Sequence, residues 1–311
     1  PAYKGDVGIK VVNSNAVIEN CTAIRATTTG AKFINSDVEL RRGFFAYRNY
    51  ELISPGTSRG PNKTAGIHAV NSTINLAIDP VYASGADYSF NTQHHDYGAI
   101  LENSVLIGGQ SRPLTSLQDT ALAFSYNDVG IKAVNSTIDV SGNLDIYNNN
   151  TGMELINSHV STDRITVENN GLDGIDAQNS IIKYNNSQVR RAYDSDVSGY
   201  RMTQSLFHRN GTHLNLKNNS IFTYYLEPST INIPLYYGGL RFVDSHGTTN
   251  YGADIDASAA LPAVSLNNSQ AELLHCRLVC SSTPLGENET APGIIGAGIK
   301  AVNSSEVKLL G

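Results

Sequence analysis

The chain has 311 residues, a formal net charge of -6, only 16% charged residues and no tryptophan. It is long enough to bury a large core, and its acidic balance offers no basic face to a phosphate backbone, which argues against nucleic acid as a partner. No apolar run is long enough to span a bilayer, and Cys21, Cys276 and Cys280 are too few and too scattered for a disulfide framework or a zinc site, so they read as small apolar packing residues.

The first element, Gly8-Ile-Lys-Val-Val-Asn-Ser14, sets a pattern that recurs along the chain. It returns at Gly30 to Ser36, Gly66 to Ser72, Gly98 to Ser104, Gly130 to Ser136, Gly152 to Ser158, Gly174 to Ser180 and Gly298 to Ser304, with degenerate copies around Asn218, Asp244 and Asn268. The anchoring residues Asn13, Asn35, Asn71, Asn103, Asn135, Asn157 and Asn179 are separated by 22, 36, 32, 32, 22 and 22 residues. A base period of 22 with occasional excess is the mark of a solenoid coil that carries loops.

Each unit has strand periodicity. From Gly130, Ile131 and Ala133 alternate with Lys132 and Val134, which predicts the first pair inside and the second pair outside. Continued alternation turns Asn135 inward. A buried Asn at one place in every coil is satisfied only if copies stack and each amide bonds the next, so the seven anchoring Asn are expected to form an internal ladder. Leu144, Ile146 and Tyr147 complete the unit before Asn148-Asn149-Asn150, which gives three short strands and three turns per coil. The fold class is therefore all-β, a right-handed parallel β-helix of roughly twelve coils and about 55 Å.

The whole of 1–311 reads as one domain, and the pattern starts and stops abruptly enough to expect a slice of a longer polypeptide. Decorated coils occupy about 41–129, with excess residues around 53–64, 79–96 and 108–120 that are expected to cluster on one part of the rod. A degenerate, Tyr-rich stretch covers about 185–265 and reads equally as poorly matched coil or as an excursion.

The Gly-Ile-x-Ala-x-Asn-Ser-x-(Ile/Val) unit resembles the coils of the pectate-lyase-like superfamily, across nearly the whole chain from Val7 to Leu310. That superfamily includes polysaccharide lyases, phage tailspikes, other virion proteins and autotransporter adhesins. Near-identical repeats with Asn-rich turns look most like phage tail fibre, tailspike or other virion-surface proteins. The resemblance implies a virion-surface or extracellular location and a host-surface polysaccharide or another virion protein as partner. No cofactor is expected. It also implies a homo-oligomer, with a trimer as in tailspikes; open strand edges at both ends point to self-association too. A polysaccharide-degrading tailspike and a bacterial surface adhesin are the alternatives.

Loops on a rigid scaffold usually carry binding, so the decorated coils are the first candidate site. Arg48, Tyr50, Tyr82, Tyr88 and Tyr97 are the ligand-binding candidates, within a wider set of Phe44, Phe45, Tyr47, Phe90, Arg41, Arg42 and Arg59. Aromatic faces stack on sugar rings and Arg forks grip carboxylates, although the same residues equally serve to cover the core. For catalysis, Lys132, Glu154 and Asp176 fall at one outward position in three successive coils, with Asp173 beside them; Glu154, Asp173 and Asp176 are the candidate carboxylates. Alternating charge on a solvated sheet produces the same column. Gln93-His94-His95-Asp96 is the one metal-like cluster, but adjacent residues diverge, so a polar loop is expected and no metal site is assigned. Asp254 and Asp256 share one face if extended and could hold calcium, a thin signal alone. Sequons at Asn20, Asn62, Asn71, Asn135, Asn210 and Asn288 are not expected to carry glycans, because the ladder Asn are expected to point inward.

Overall fold

The computed structural model of the chain describes residues 6–24, 28–47, 64–77, 90–108, 121–168, 174–185, 214–217, 221–225, 235–238, 240–249, 253–257, 264–274, 277–280 and 299–310. Every regular element among them is a β-strand, and none is a helix long and apolar enough to cross a membrane.

The strands form long parallel stacks. An 11-stranded sheet takes Val7–Val12, Thr29–Ile34, Ala65–Val70, Tyr97–Glu102, Val129–Val134, Thr151–Ile156, Ile175–Gln178, Leu214–Lys217, Leu240–Val243, Val264–Asn267 and Ile299–Val302 in that order. A 13-stranded sheet holds the strands that follow each Asn-Ser pair. In it the long strands Asp37–Tyr47 and Thr137–Tyr147 are each used twice. Residues 37–41 and 137–140 pair with Thr73–Ala77 and Val105–Gly108, while 44–47 and 143–147 pair with Phe90–Gln93 and Ala121–Ser125. A register shift between Val140 and Asn143 marks the bend. One repeat thus supplies three extended segments, as the sequence pattern predicts.

Parallel stacking at one coil per step lines up like positions. The inward column Phe33, Ala69, Leu101, Ala133, Leu155, Ala177 alternates large with small, so each ring or branched chain fills the space left by the alanine beside it. Val38, Ile74, Leu106, Ile138, Val160 and Ile182 line the opposite wall, all 2% exposed or less. The repeat glycine has a steric cause as well. A Cβ on Gly130 would lie 2.5 Å from the Gly152 carbonyl oxygen, and one on Gly30 the same distance from that of Gly66.

The excess residues of the decorated coils fall at two places in the repeat. Residues 48–63 follow strand Asp37–Tyr47 and precede Thr64, where the compact repeat has only Asn148 and Asn149 before Asn150. Residues 78–89 and 109–120 join the second-sheet strands Thr73–Ala77 and Val105–Gly108 to Phe90–Gln93 and Ala121–Ser125, where the compact coil has only Ser141 and Gly142. Two of the three insertions therefore leave from one corner in adjacent coils, and the first leaves from another.

Within the Tyr-rich stretch, four of the described strands extend the two long stacks. Leu214–Lys217 and Leu240–Val243 continue the first sheet, and Ile221–Tyr225 and His246–Thr249 the second. Leu235–Gly238, Ala253–Ala257 and Arg277–Cys280 form a separate 3-stranded parallel sheet, with Asp254 and Asp256 at alternate positions of its middle strand. Cys21 and Cys280 lie in strands, and Cys276 lies outside the described residues.

Candidate functional site

The first corner of the repeat is the Asn-Ser turn. Asn13, Asn35, Asn71, Asn103, Asn135, Asn157 and Asn179 all sit at φ between 48° and 52°, the left-handed region that Asn tolerates better than most residues. Their amides bond along the stack: Asn35 Nδ2 donates to Asn13 Oδ1 at 3.0 Å, Asn71 to Asn35 at 3.1 Å, and Asn135, Asn157 and Asn179 to Asn103, Asn135 and Asn157 at 3.2, 3.1 and 2.8 Å. The inward orientation expected for these residues is wrong. All seven are exposed, because the left-handed turn ends the strand alternation and carries the side chain outward. Burial is consequently no barrier to modification at Asn71 or Asn135.

The residue that turns inward is the serine. Ser36, Ser72, Ser104, Ser136, Ser158 and Ser180 are at most 5% exposed. Each hydroxyl donates to the carbonyl two residues back and accepts the backbone N–H of the serine one coil earlier, as from Ser104 N to Ser136 Oγ at 3.0 Å and Ser136 N to Ser158 Oγ at 3.1 Å. The ladder that protects buried backbone donors is thus built from hydroxyls.

The second corner lies between the third segment and the next copy of the repeat: His94-His95-Asp96, Tyr126-Asn127-Asp128 and Asn148-Asn149-Asn150 in successive coils. The first residue of each has φ near +60°, at 61°, 56° and 56°. The middle residue is buried, at 0%, 4% and 4%. Here are the buried asparagines. Asn149 Oδ1 accepts the Asn127 N–H at 3.0 Å, Asn127 Oδ1 accepts the His95 N–H at 3.0 Å, and Asn149 Nδ2 donates to the Phe124 carbonyl at 3.0 Å. The third residues also interlock, with Asn150 Nδ2 on Asp128 Oδ1 at 3.0 Å and Thr64 N on Asp96 Oδ2 at 2.7 Å. The outermost positions carry rings: His94 stacks on Tyr126 with centroids 5.5 Å apart, and Tyr126 meets Tyr147 edge-on at 6.2 Å. Tyr126 is 49% exposed. Sequence reasoning missed Tyr126 because it looked for aromatics in the insertions; the alignment of Tyr126 with His94 and Asn148 was available from the repeat spacing.

The outer face of the first sheet holds the charged column. Lys132, Glu154 and Asp176 are in register on successive strands. Lys132 Nζ donates to Glu154 Oε2 at 2.9 Å and lies 5.6 Å from the centre of the Tyr97 ring. The hydrogen bond to Glu154 holds the Lys132 pKa above its ordinary value, outweighing its partial burial. One column over, Glu102 Oε2 lies 3.5 Å from His68 Nε2, in ion-pair range but without hydrogen-bond geometry. Burial, then the charge of Lys32, pushes the His68 imidazole below its ordinary pKa, against the pull of Glu102. Lys132 and Glu154 are thus paired with each other on this face.

Other candidates fall apart or fall outside view. Arg48, Tyr50, Tyr82, Tyr88, Arg59 and Asp173 lie outside the described residues. Phe90 is 3% exposed and belongs to the core. Arg41 forks onto Glu39, with Nε and Nη2 at 2.8 and 2.9 Å from the two carboxylate oxygens. His94 and His95 diverge as expected, one on the surface stack and one buried, and no group of three or more potential metal ligands occurs among the described residues. Comparisons of the chain with family models, curated proteins and solved structures returned no match.

Proposed function

We propose that the chain is a right-handed parallel β-helix with one coil per strand of its 11-stranded sheet, about 50 Å long at ~4.8 Å per coil. It works as a structural and recognition rod of a phage tail or virion surface. Right-handedness follows from the sense that parallel crossovers take in nearly all sheets. The coil pattern's resemblance to virion-surface β-helices supports the location, the self-association as a trimer, and a host-surface glycan or neighbouring virion protein as partner.

One observation carries the reading. Strands from repeats separated by 22, 32 and 36 residues stack in the same register, Lys132 on Glu154, Ile100 on Lys132 and Lys32 on His68. The scaffold is indifferent to what is inserted, which is the property a display rod needs.

A second reading, polysaccharide cleavage, draws on Glu154 and Asp176, which sit on neighbouring strands. Strand spacing of ~4.8 Å is close to the ~5–5.5 Å between carboxyl groups in retaining glycosidases. The Lys132 ion pair already engages Glu154, which ranks this reading second.

The test is a retention and cleavage screen of the purified chain on bacterial surface polysaccharides. Retention without release of reducing or unsaturated ends supports the rod. Cleavage that disappears in Glu154→Ala or Asp176→Ala replaces it with an enzyme. Absence of both removes the glycan and leaves a protein partner.

A further inference from the structure

We propose that the corner formed by His94, Tyr126 and Tyr147 is a stacking subsite for a pyranose ring of a neutral glycan. It rests on the recognition-rod reading and gives that reading a place on the surface.

Tyr126 is out of keeping with its position. It occupies a left-handed backbone conformation, φ 56°, that its counterpart one coil later, Asn148, occupies at the same angle. The seven anchoring Asn of the first corner meet the same demand with the same residue type. A bulky aromatic there is rare, because its Cβ crowds the following carbonyl, and such strain concentrates where function holds it. Core packing does not repay that strain, since the ring is 49% exposed.

The ring is also held in place. His94 stacks against it at an interplanar angle of 27°, and Tyr147 braces it at 76°. A ring whose orientation is fixed before binding loses little entropy when a ligand arrives. The C–H face of a pyranose packs on such a π surface, and sugar hydroxyls need polar groups at its margin. Two residues on, the Asp128 carboxylate accepts the Asn150 amide, and Asn150 is exposed beside it, which puts polar groups at the margin of the ring. A carboxylate at the margin and a net charge of -6 disfavour anionic sugars, which commits the subsite to neutral ones.

The test uses the full chain and calorimetric titration with neutral hexasaccharides: maltohexaose, cellohexaose, mannohexaose and a galactan-derived hexamer. The decisive variant is Tyr126→Asn, which installs the residue the next coil uses. The expected result is binding of at least one hexasaccharide, weakened about tenfold or more by Tyr126→Asn, with the thermal midpoint unchanged or raised. His94→Ala weakens binding less. Binding unaffected by Tyr126→Asn overturns the subsite and leaves the rod reading standing with its site elsewhere. A lowered thermal midpoint in Tyr126→Asn overturns it too, by making Tyr126 a structural residue. Failure of all four sugars to bind overturns the subsite together with the neutral-glycan arm of the rod reading.

Discussion

Two corners of the repeat, the Asn-Ser turn and the turn that precedes the next copy, solve one backbone problem with opposite sequence strategies. Both turn the chain through a residue of positive φ and tuck the next side chain inward, where the serines of one corner and Asn127 and Asn149 of the other satisfy buried backbone groups. At the Asn-Ser corner the residues are the same from Asn13-Ser14 to Asn179-Ser180, and the serine ladder runs the length of these copies, with amide bonds between Asn13, Asn35 and Asn71 and between Asn103, Asn135, Asn157 and Asn179. At the other corner the geometry persists while the residues change from His-His-Asp to Tyr-Asn-Asp to Asn-Asn-Asn. A position that is geometrically fixed but chemically free is where a stack of repeats can carry specificity without disturbing its register.

Breaking the buried member of the variable corner should cost most. Asn149→Leu strands the Asn127 N–H and the Phe124 carbonyl in the interior, about 1–3 kcal/mol for each, read as loss of stability in denaturant unfolding. Ser136→Ala at the other corner strands only the Ser104 N–H, about 1–3 kcal/mol. A smaller loss in Asn149→Leu than in Ser136→Ala would reverse the ranking of the two corners.

The exposed ladder is worth less. Asn157→Ala should cost under about 1 kcal/mol, because water replaces the lost amide bonds, and Asn157→Gly less still, because glycine accepts φ 49°. A cost of several kcal/mol would make the outer ladder the stronger of the two.

The outer face supplies a pH test. His68 has its pKa lowered from 6.5 by burial and Lys32, with Glu102 opposing. The unfolded chain therefore takes up this proton first, and stability is lost as pH falls from 6.5 through the depressed value. His68→Gln should flatten that acid-side slope. Lys132 has the opposite sense: its pair with Glu154 contributes below pH 10.5 and fades as pH rises through the raised pKa. With both partners about one-third exposed, a double-mutant cycle should return under about 1 kcal/mol.

Much of the fold was legible from Gly, Asn and Ser recurring at fixed spacing, since only parallel stacking makes one residue useful at one place in every coil. Strand alternation correctly put Ile131 and Ala133 inside and Lys132 outside. It failed one residue past the strand, at Asn135, because alternation assumes extended backbone and the turn residue is left-handed. The hydroxyl ladder escaped notice for the same reason. The Lys132–Glu154 column was readable from spacing alone, but the formation of the ion pair depends on side-chain reach that spacing does not encode. Tyr126 escaped for a different reason: it lies in a compact turn outside the insertions, and only the repeat spacing aligns it with His94 and Asn148.

The stacked register makes distance along the sheets a count of strands, indifferent to inserted residues. It is tested most directly by pulsed dipolar EPR on spin labels at the outward positions Val17, Asn75, Asp139 and Lys183, in a chain whose three cysteines are first replaced by Ser. Val17 reaches Asp139 through Glu39, Asn75 and Ile107, and Asn75 reaches Lys183 through Ile107, Asp139 and Ser161, four steps in each case. Both pairs should lie about 19 Å apart between backbones, and Val17 to Lys183 about 29 Å, at ~4.8 Å per step. Unequal four-step distances, or a Val17–Lys183 distance no longer than the others, would contradict the stacked register.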